Sequence, residues 1–461
     1  MNKLSLSLLL LILLISKPPL VAAEKKDCSG LKKISKAYLA CKSANLKNGV
    51  VKKFGEKNQS IIKEDETVKI ILTKKAQLEK EFNPTLKIKI SQGELNKNFI
   101  NNQNNTGEMD YEGRLEKIGK YKFSKFNDFE HLNIKPIFYN ENVIFFDNKG
   151  TIIFYDQNQK IIWKKNFYSK NEKKLKPRLN FAIQKNLLIV TDDIAKYYVI
   201  NIETGDIIWS KNNIVPFNSE IKIKGDFFYV VDYKNILRSI SIRNGVEAWN
   251  LKTEESLTKS NTKISIVIKD ENIYFNNTIG DITAVSLKYG QLVWQLPTQS
   301  NNINKKAFQF SNSKLVIEDD SIIFSNNKSE FYSIDTITGL INWKNEINSN
   351  IKPVIIDKFI ITVSNRGFLY IIDKNSGNIL RINDLYKNFK IKKIKDIFTT
   401  GFIIAQNKIY LSNSNGKLII GDITTGNIIN INKIAADKIL QPYINNKHLF
   451  VIKNGSIIKY N

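Results

Sequence analysis

The sequence predicts an all-β fold, an eight-bladed β-propeller of four-stranded blades preceded by a short helical, otherwise unstructured N-terminal arm. Three observations carry that prediction. Every tryptophan of the 461-residue chain falls at one phase of a single recurring phrase. Successive copies of the phrase end 38 to 49 residues apart, the period of a four-stranded propeller blade. Short apolar strands alternate with turn residues between the anchors, the pattern of an all-β chain.

Taken in order, residues 1–23 read as a secretory signal. Lys3 supplies the positive start, Leu4 to Ile15 the apolar run, and Val21-Ala-Ala23 the small residues before a cut at Glu24. The run is too short for a membrane span, and no later stretch approaches ~20 apolar residues. Residues 24–109 read as an arm and linker. They hold helix-like apolar spacing at Leu31, Ile34 and Tyr38, a Lys/Glu-rich stretch and an Asn-rich run from Asn96 to Asn105, but no propeller phrase.

Cys28 and Cys41 are the only cysteines. In an oxidising compartment two nearby thiols tend to pair, which requires Cα atoms within about 7 Å. A straight helix would hold positions 13 apart at about 20 Å, so an internal disulfide needs a bend, for example at Gly30. Pairing with another protein and free thiols remain alternatives. The charged Lys25-Lys-Asp27 ahead of Cys28 does not suit lipid attachment, and no lipid anchor is expected.

Residues 110–461 read as the propeller. The phrase recurs as Ile200-Asn-Ile-Glu-Thr-Gly-Asp-Ile-Ile-Trp209 and its relatives, ending at Trp163, Trp209, Trp249, Trp294 and Trp343; two degenerate copies end at Arg381 and Asn430. Gly205, Gly245, Gly290, Gly339, Gly377 and Gly426 sit at the turn, where a tight hairpin needs positive φ. An indole packed between neighbouring blades removes ~150–250 Å² from water, a few kcal/mol per blade at ~25 cal/mol per Å². The tail from His448 to Tyr460 supplies two further strands and stops. An exposed edge would result unless the segment from Gly113 to Ser124 supplies the outer strand, giving eight blades closed between the two termini.

The formal charge is +26, from 70 Lys and Arg against 44 Asp and Glu. The lysines are scattered through a chain rich in Lys, Asn and Ile, which reads as a solvated surface; no nucleic-acid partner is expected. Two distant histidines, His131 and His448, with two cysteines make a metal site improbable. No GxSxG, phosphate-binding loop or GxGxxG occurs. Asp281, Asp335, Asp373 and Asp422 recur at blade turns and read as turn caps. The sequence therefore calls for no catalytic residues and no cofactor.

The repeat, with Asp or Asn, Thr/Ser-Gly and a terminal Trp, resembles the PQQ-like β-propeller repeat over roughly residues 110–461. That repeat is used by quinoprotein alcohol dehydrogenases and by the BamB family of outer-membrane β-barrel assembly factors. The export signal, eight inferred blades, propeller-only length and Asn-rich run resemble the BamB family. The resemblance implies a non-enzymatic periplasmic scaffold, peripheral to the outer membrane, that binds the POTRA region of a BamA-like barrel protein, with unfolded outer-membrane proteins as a further partner. Carried onto this sequence, the family's contact loop falls at Thr253–Thr262, with Leu257 and Lys259 in the contact roles; the family's Arg is absent. A quinoprotein would bring a vicinal cysteine pair and a metal site with an acidic base, neither of which is recognisable here. Binding of an anionic envelope polymer by the positive surface is the third reading.

Overall fold

The computed structural model describes residues 79–91, 93–99, 104–254, 263–298, 311–389 and 396–461. All of these belong to one compact unit, residues 75–461. The signal, Cys28, Cys41, Leu257 and Lys259 lie outside the described residues.

The strands form eight four-stranded antiparallel sheets arranged as a propeller. The first full blade is β2 (Ile137–Tyr139), β3 (Asn142–Phe146), β4 (Ile152–Tyr155) and β5 (Ile161–Lys165), running from the channel outward. Six blades follow: residues 179–212 (β6–β9), 222–252 (β10–β13), 266–296 (β14–β17), 316–345 (β18–β21), 354–384 (β22–β25) and 399–433 (β26–β29). The eighth takes β30 (Tyr443–Asn445), β31 (His448–Lys453) and β32 (Ser456–Tyr460) from the C-terminus and β1 (Lys117–Lys122) as its outer strand. Lys120 pairs with Ile458 and Tyr121 with Ile457, so the segment expected to close the ring does close it. A helix, α1 (Lys170–Lys174), with a Ser169–Glu172 capping box, links the first two full blades.

The middle strands of each blade are covered on both faces by neighbouring blades, which explains their nearly unbroken apolar runs, such as Phe359–Val363. The core lies between blades. Ile189 and Val199 of the second full blade, for example, pack with Ile223, Phe228 and Val230 of the third.

Seven blades share one feature at the outer strand, and five of them use it to seat a tryptophan on the next blade. At the hairpin before each outer strand the pairing slips by one residue, leaving Ile162, Ile208, Ala248, Val293, Asn342, Leu380 or Ile429 unmatched beside the anchor. A bulge of this kind re-aims the side chain next to it. Trp163 Nε1 donates to the Ile202 carbonyl at 2.6 Å, Trp209 to Ile242 at 2.8 Å and Trp249 to Leu287 at 3.2 Å. Trp294 donates to Thr336 at 3.0 Å and Trp343 to Lys374 at 3.1 Å. Trp163 is buried and the other four indoles are half-buried.

The indoles lie against the turn glycines of the next blade. At Gly290, φ is +69° and an added Cβ would stand 2.5 Å from the Trp249 ring. Gly205, Gly245, Gly339 and Gly377 face Trp163, Trp209, Trp294 and Trp343 in the same way. Gly426 also has positive φ but faces the Asn383 carboxamide. The first blade has Gln159 at φ +65° in this turn; the facing strand β1 offers it Gly119, which has no side chain to collide with it.

Arg381 replaces the indole in the sixth full blade. Its guanidinium is fully buried and donates to the carbonyl of Ile423, three residues before Gly426, the position an indole would address. It also donates to Thr424 and Leu86, each at 2.7 Å. Burial pushes it down to about 10 despite the nearby Asp422 carboxylate, so it stays charged at neutral pH. Asn430, the last degenerate anchor, is exposed. The final blade has no hairpin to receive it, because its outer strand comes from the other end of the chain.

Candidate functional site

The central channel differs at its two ends. Residues 96–99 and 104–109 lie at the end where the inner strands finish. Phe99 N donates to the Ile444 carbonyl at 2.9 Å in the eighth blade, and Met109 N to Ile404 at 2.9 Å in the seventh. Asn104 Nδ2 reaches the Ile268 carbonyl at 2.7 Å, and Asn105 bonds both the amide and the carbonyl of Ile355. Asparagine amides suit this task because each brings a donor and an acceptor to strand-end groups. Upstream, Phe82 exchanges backbone hydrogen bonds with Ile382 at 3.1 and 2.8 Å, a single β-bridge on the outer strand of the sixth full blade.

At the opposite end, where the inner strands begin, the channel opens into a cavity of about 430 Å³. Six cationic side chains line it, Lys135, Arg178, Lys263, Lys314, Lys352 and Lys438, against the carboxylates Asp193 and Glu220. The lysines come from different blades but from equivalent places. Lys135, Lys314 and Lys352 stand two residues before β2, Val316–Glu318 (β18) and Val354–Ile356 (β22). Lys263 stands three before Ile266–Lys269 (β14), and Lys222 opens Lys222–Lys224 (β10) beside the cavity. Asn180, Asn218, Asn312 and Asn350 add amides to the wall.

Glu220 is the hub. Lys135 lies 3.4 Å from its Oε1, and Lys314 pairs with the same oxygen. Burial alone would raise this carboxyl, but Lys135, Lys314 and Lys222 hold it well below its ordinary value. One carboxylate cannot compensate so many ammonium groups. Burial pushes Lys135 down to about 7, with Glu220 opposing and Lys314, Lys222 and Lys263 adding to the fall. Burial likewise takes Lys222, Lys263 and Lys438 to about 8. Lys438 is held by the carbonyls of Glu130 and Leu132 at 2.8 and 2.9 Å, and Lys263 donates to Asn180 Oδ1. Arg178 is engaged by Asp128 and by Asp193 at 3.9 Å. Lys352 has neither hydrogen bond nor ion pair among the described residues, and burial with Lys222 and Lys314 nearby lowers it well below its ordinary value.

The sequence reading missed this funnel and took its lysines as solvated surface. A signal was present: Lys135, Lys222, Lys263, Lys314 and Lys352 each fall 27 to 31 residues before their blade's anchor, at 163, 249, 294, 343 and 381. The aspartates behave as turn residues. Asp335, Asp373 and Asp422 accept from backbone amides two or three residues ahead. In the fourth full blade that place is taken by Ser286; Asp281 stands in the preceding turn, capped by Asn277, and accepts from Gln295 at 3.0 Å. Among the described residues no group of three or more His, Cys, Asp or Glu could hold a metal, and no helix is long and apolar enough to cross a membrane. The proposed contact loop leaves Glu247–Lys252 (β13); at its base, Asn235 Nδ2 donates to the Glu254 carbonyl at 2.7 Å.

A closed propeller of Trp-anchored blades around a plugged channel defines the class, a PQQ-like repeat propeller. The family model described as outer membrane protein assembly factor BamB matches residues 148–383, just over half of the chain, and the chain belongs to that family. No curated protein sequence matches it. Among solved structures, BamB from Moraxella catarrhalis superposes with a TM-score of 0.62 at 15% identity, covering 75% of this chain and 99% of that one. The computationally designed protein Ika8 gives 0.57 at 12% identity, over 74% and 99% of the two chains. A quinohemoprotein alcohol dehydrogenase from Comamonas testosteroni gives 0.55 at 9% identity, over 77% and 78%. At these identities the superpositions speak to the fold alone.

Proposed function

We propose that this chain is a non-catalytic scaffold subunit of the outer-membrane β-barrel assembly machinery, exported to the periplasm and held peripherally at the outer membrane by its partners. The partner is the POTRA region of a BamA-like protein, with unfolded outer-membrane proteins as a second class of client. The family match over residues 148–383, from the middle of the first full blade through the sixth, is the observation that supports this reading. Leu257 and Lys259, beyond the outer strand of the third full blade, are the proposed contact residues. Cys28 and Cys41 lie in the arm, where an internal disulfide is proposed.

Affinity capture from solubilised envelopes tests the reading. The full chain should retrieve a BamA-like barrel protein, and a Leu257→Ala/Lys259→Ala variant should retrieve several-fold less. Repeated capture without any such protein would contradict it. The quinoprotein alternative rests on fold likeness to dehydrogenases; dye reduction after reconstitution with PQQ and calcium would revive it.

A further inference from the structure

We infer that the funnel where the inner strands begin is a binding site for a soluble, compact, multivalent oxyanion of the phosphate class. This goes beyond the scaffold role and is independent of which protein the propeller docks on.

The first argument is shape. Phe99, Asn104, Asn105 and Met109 bond to the inner strands of the eighth, fourth, sixth and seventh blades at the far end, so the funnel is approached from the other side. Its volume, about 430 Å³, falls in the range of small-molecule sites, ~300–1,000 Å³. A group of a few linked phosphates fits there; a folded domain does not.

The second is charge. Six cationic side chains face two carboxylates across a shared cavity, and buried charges are ordinarily paired. The blades could carry any polar residue at these strand starts, as Asn180 and Thr400 show. Four of the eight place a lysine there, two or three residues before the inner strand, and a fifth begins its inner strand with one. Lys352 makes no hydrogen bond or ion pair among the described residues; Lys222 and Lys314 repel it, and Glu220, already paired with Lys135 and Lys314, attracts it less strongly. A multivalent anion supplies the missing countercharge.

The third is geometry. Planar carboxylates are matched by guanidinium forks, and the one arginine of the funnel is already engaged by Asp128 and Asp193. Separate ammonium groups arriving from different blades, interleaved with Asn amides, instead address oxygens that point in several directions, as on tetrahedral phosphates.

Calorimetric titration of the full chain with inorganic tripolyphosphate at pH 6.5 and fixed ionic strength tests this. Saturable 1:1 binding is expected. Lys352→Met and Lys263→Met should each weaken it by about tenfold or more, the loss of one charged hydrogen bond. Lys164→Ala, an exposed outer-strand lysine, should leave binding unchanged. Lys352→Met removes a half-buried amine that Lys222 and Lys314 repel, so its ligand-free melting temperature should equal or exceed that of the parent, which separates a binding defect from a folding defect. Equal binding by the parent and Lys352→Met, an equal loss in Lys164→Ala, or citrate binding more tightly than tripolyphosphate would each overturn the inference.

Discussion

Replacing Arg381 tests how the ring is held where its tryptophan is missing. The guanidinium donates to three carbonyls, two in the next blade, Ile423 and Thr424, and one in the N-terminal segment, Leu86. At about 1.5 kcal/mol net per bond, the low end for a charged donor, Arg381→Ala loses about 4.5 kcal/mol and strands three carbonyls. Relief of the desolvation that lowers its pKa offsets part of this, leaving about 3 kcal/mol. Arg381→Trp separates the two attachments. Its indole has one donor, which can serve Ile423 as in the other blades but leaves Leu86 without a partner. Hydrogen exchange read at the Phe82 and Ile88 amides, which donate to Ile382 and Thr424 at 3.1 and 2.9 Å, should show protection lost in both variants. Urea unfolding should show the larger loss in Arg381→Ala. Unchanged protection at both amides, with urea midpoints equal to the parent's, would refute the reasoning.

Other consequences can be checked as directly. Gly290→Ala places a methyl 2.5 Å from Trp249 on a backbone at φ +69°; it should destabilise by about 2 kcal/mol or more, read as a fall in melting temperature. A Gly225→Ala control, with positive φ but nothing within 4 Å of the added methyl, should cost less. Stability should also rise with pH between about 7 and 10. In that window Lys135, at about 7, and Lys222, Lys263 and Lys438, at about 8, have shed protons in the folded state that the unfolded chain, near 10.4, retains. The unfolded state thus binds more protons and the slope is positive. Lys135 alone contributes up to about 2 kcal/mol between pH 7 and 9. Differential scanning calorimetry at constant ionic strength reads this, and a melting temperature that fell across the window would contradict it. Above about 10 the sense reverses, because buried tyrosines such as Tyr121 and Tyr155 are pushed up to about 12 and the unfolded state loses those protons first.

The architecture was legible because one bulky residue marks one phase of each blade. Trp163, Trp209, Trp249, Trp294 and Trp343 sit at the same bulge, and strand alternation around them allowed no other register. Even closure by residues 113–124 followed from counting two strands after His448. The funnel was not legible by the same route. Its lysines are five among many in a lysine-rich chain, and a hydrophobic pattern carries no information about which polar residue opens an inner strand. Aligning blades on their anchors would have revealed the recurrence. The Asn-rich run read as linker for a related reason. Asn104 and Asn105 bind strand-end carbonyls and amides through their side chains, without apolar periodicity or a turn signal. Arg381 read as a degenerate anchor because nothing in its sequence context shows that a guanidinium can reach the carbonyl an indole would have used.

The claim that ring closure gathers scattered lysines into one desolvated, anion-ready funnel is tested most directly by watching those lysines titrate. In the full chain with 13C-labelled lysine, NMR titration of the Cε resonances should show a small set moving between pH 6 and 9. One of them should vanish in Lys135→Met, and the rest should shift to higher pH when tripolyphosphate is added. Every lysine titrating together near 10.5, with or without tripolyphosphate, would contradict the account.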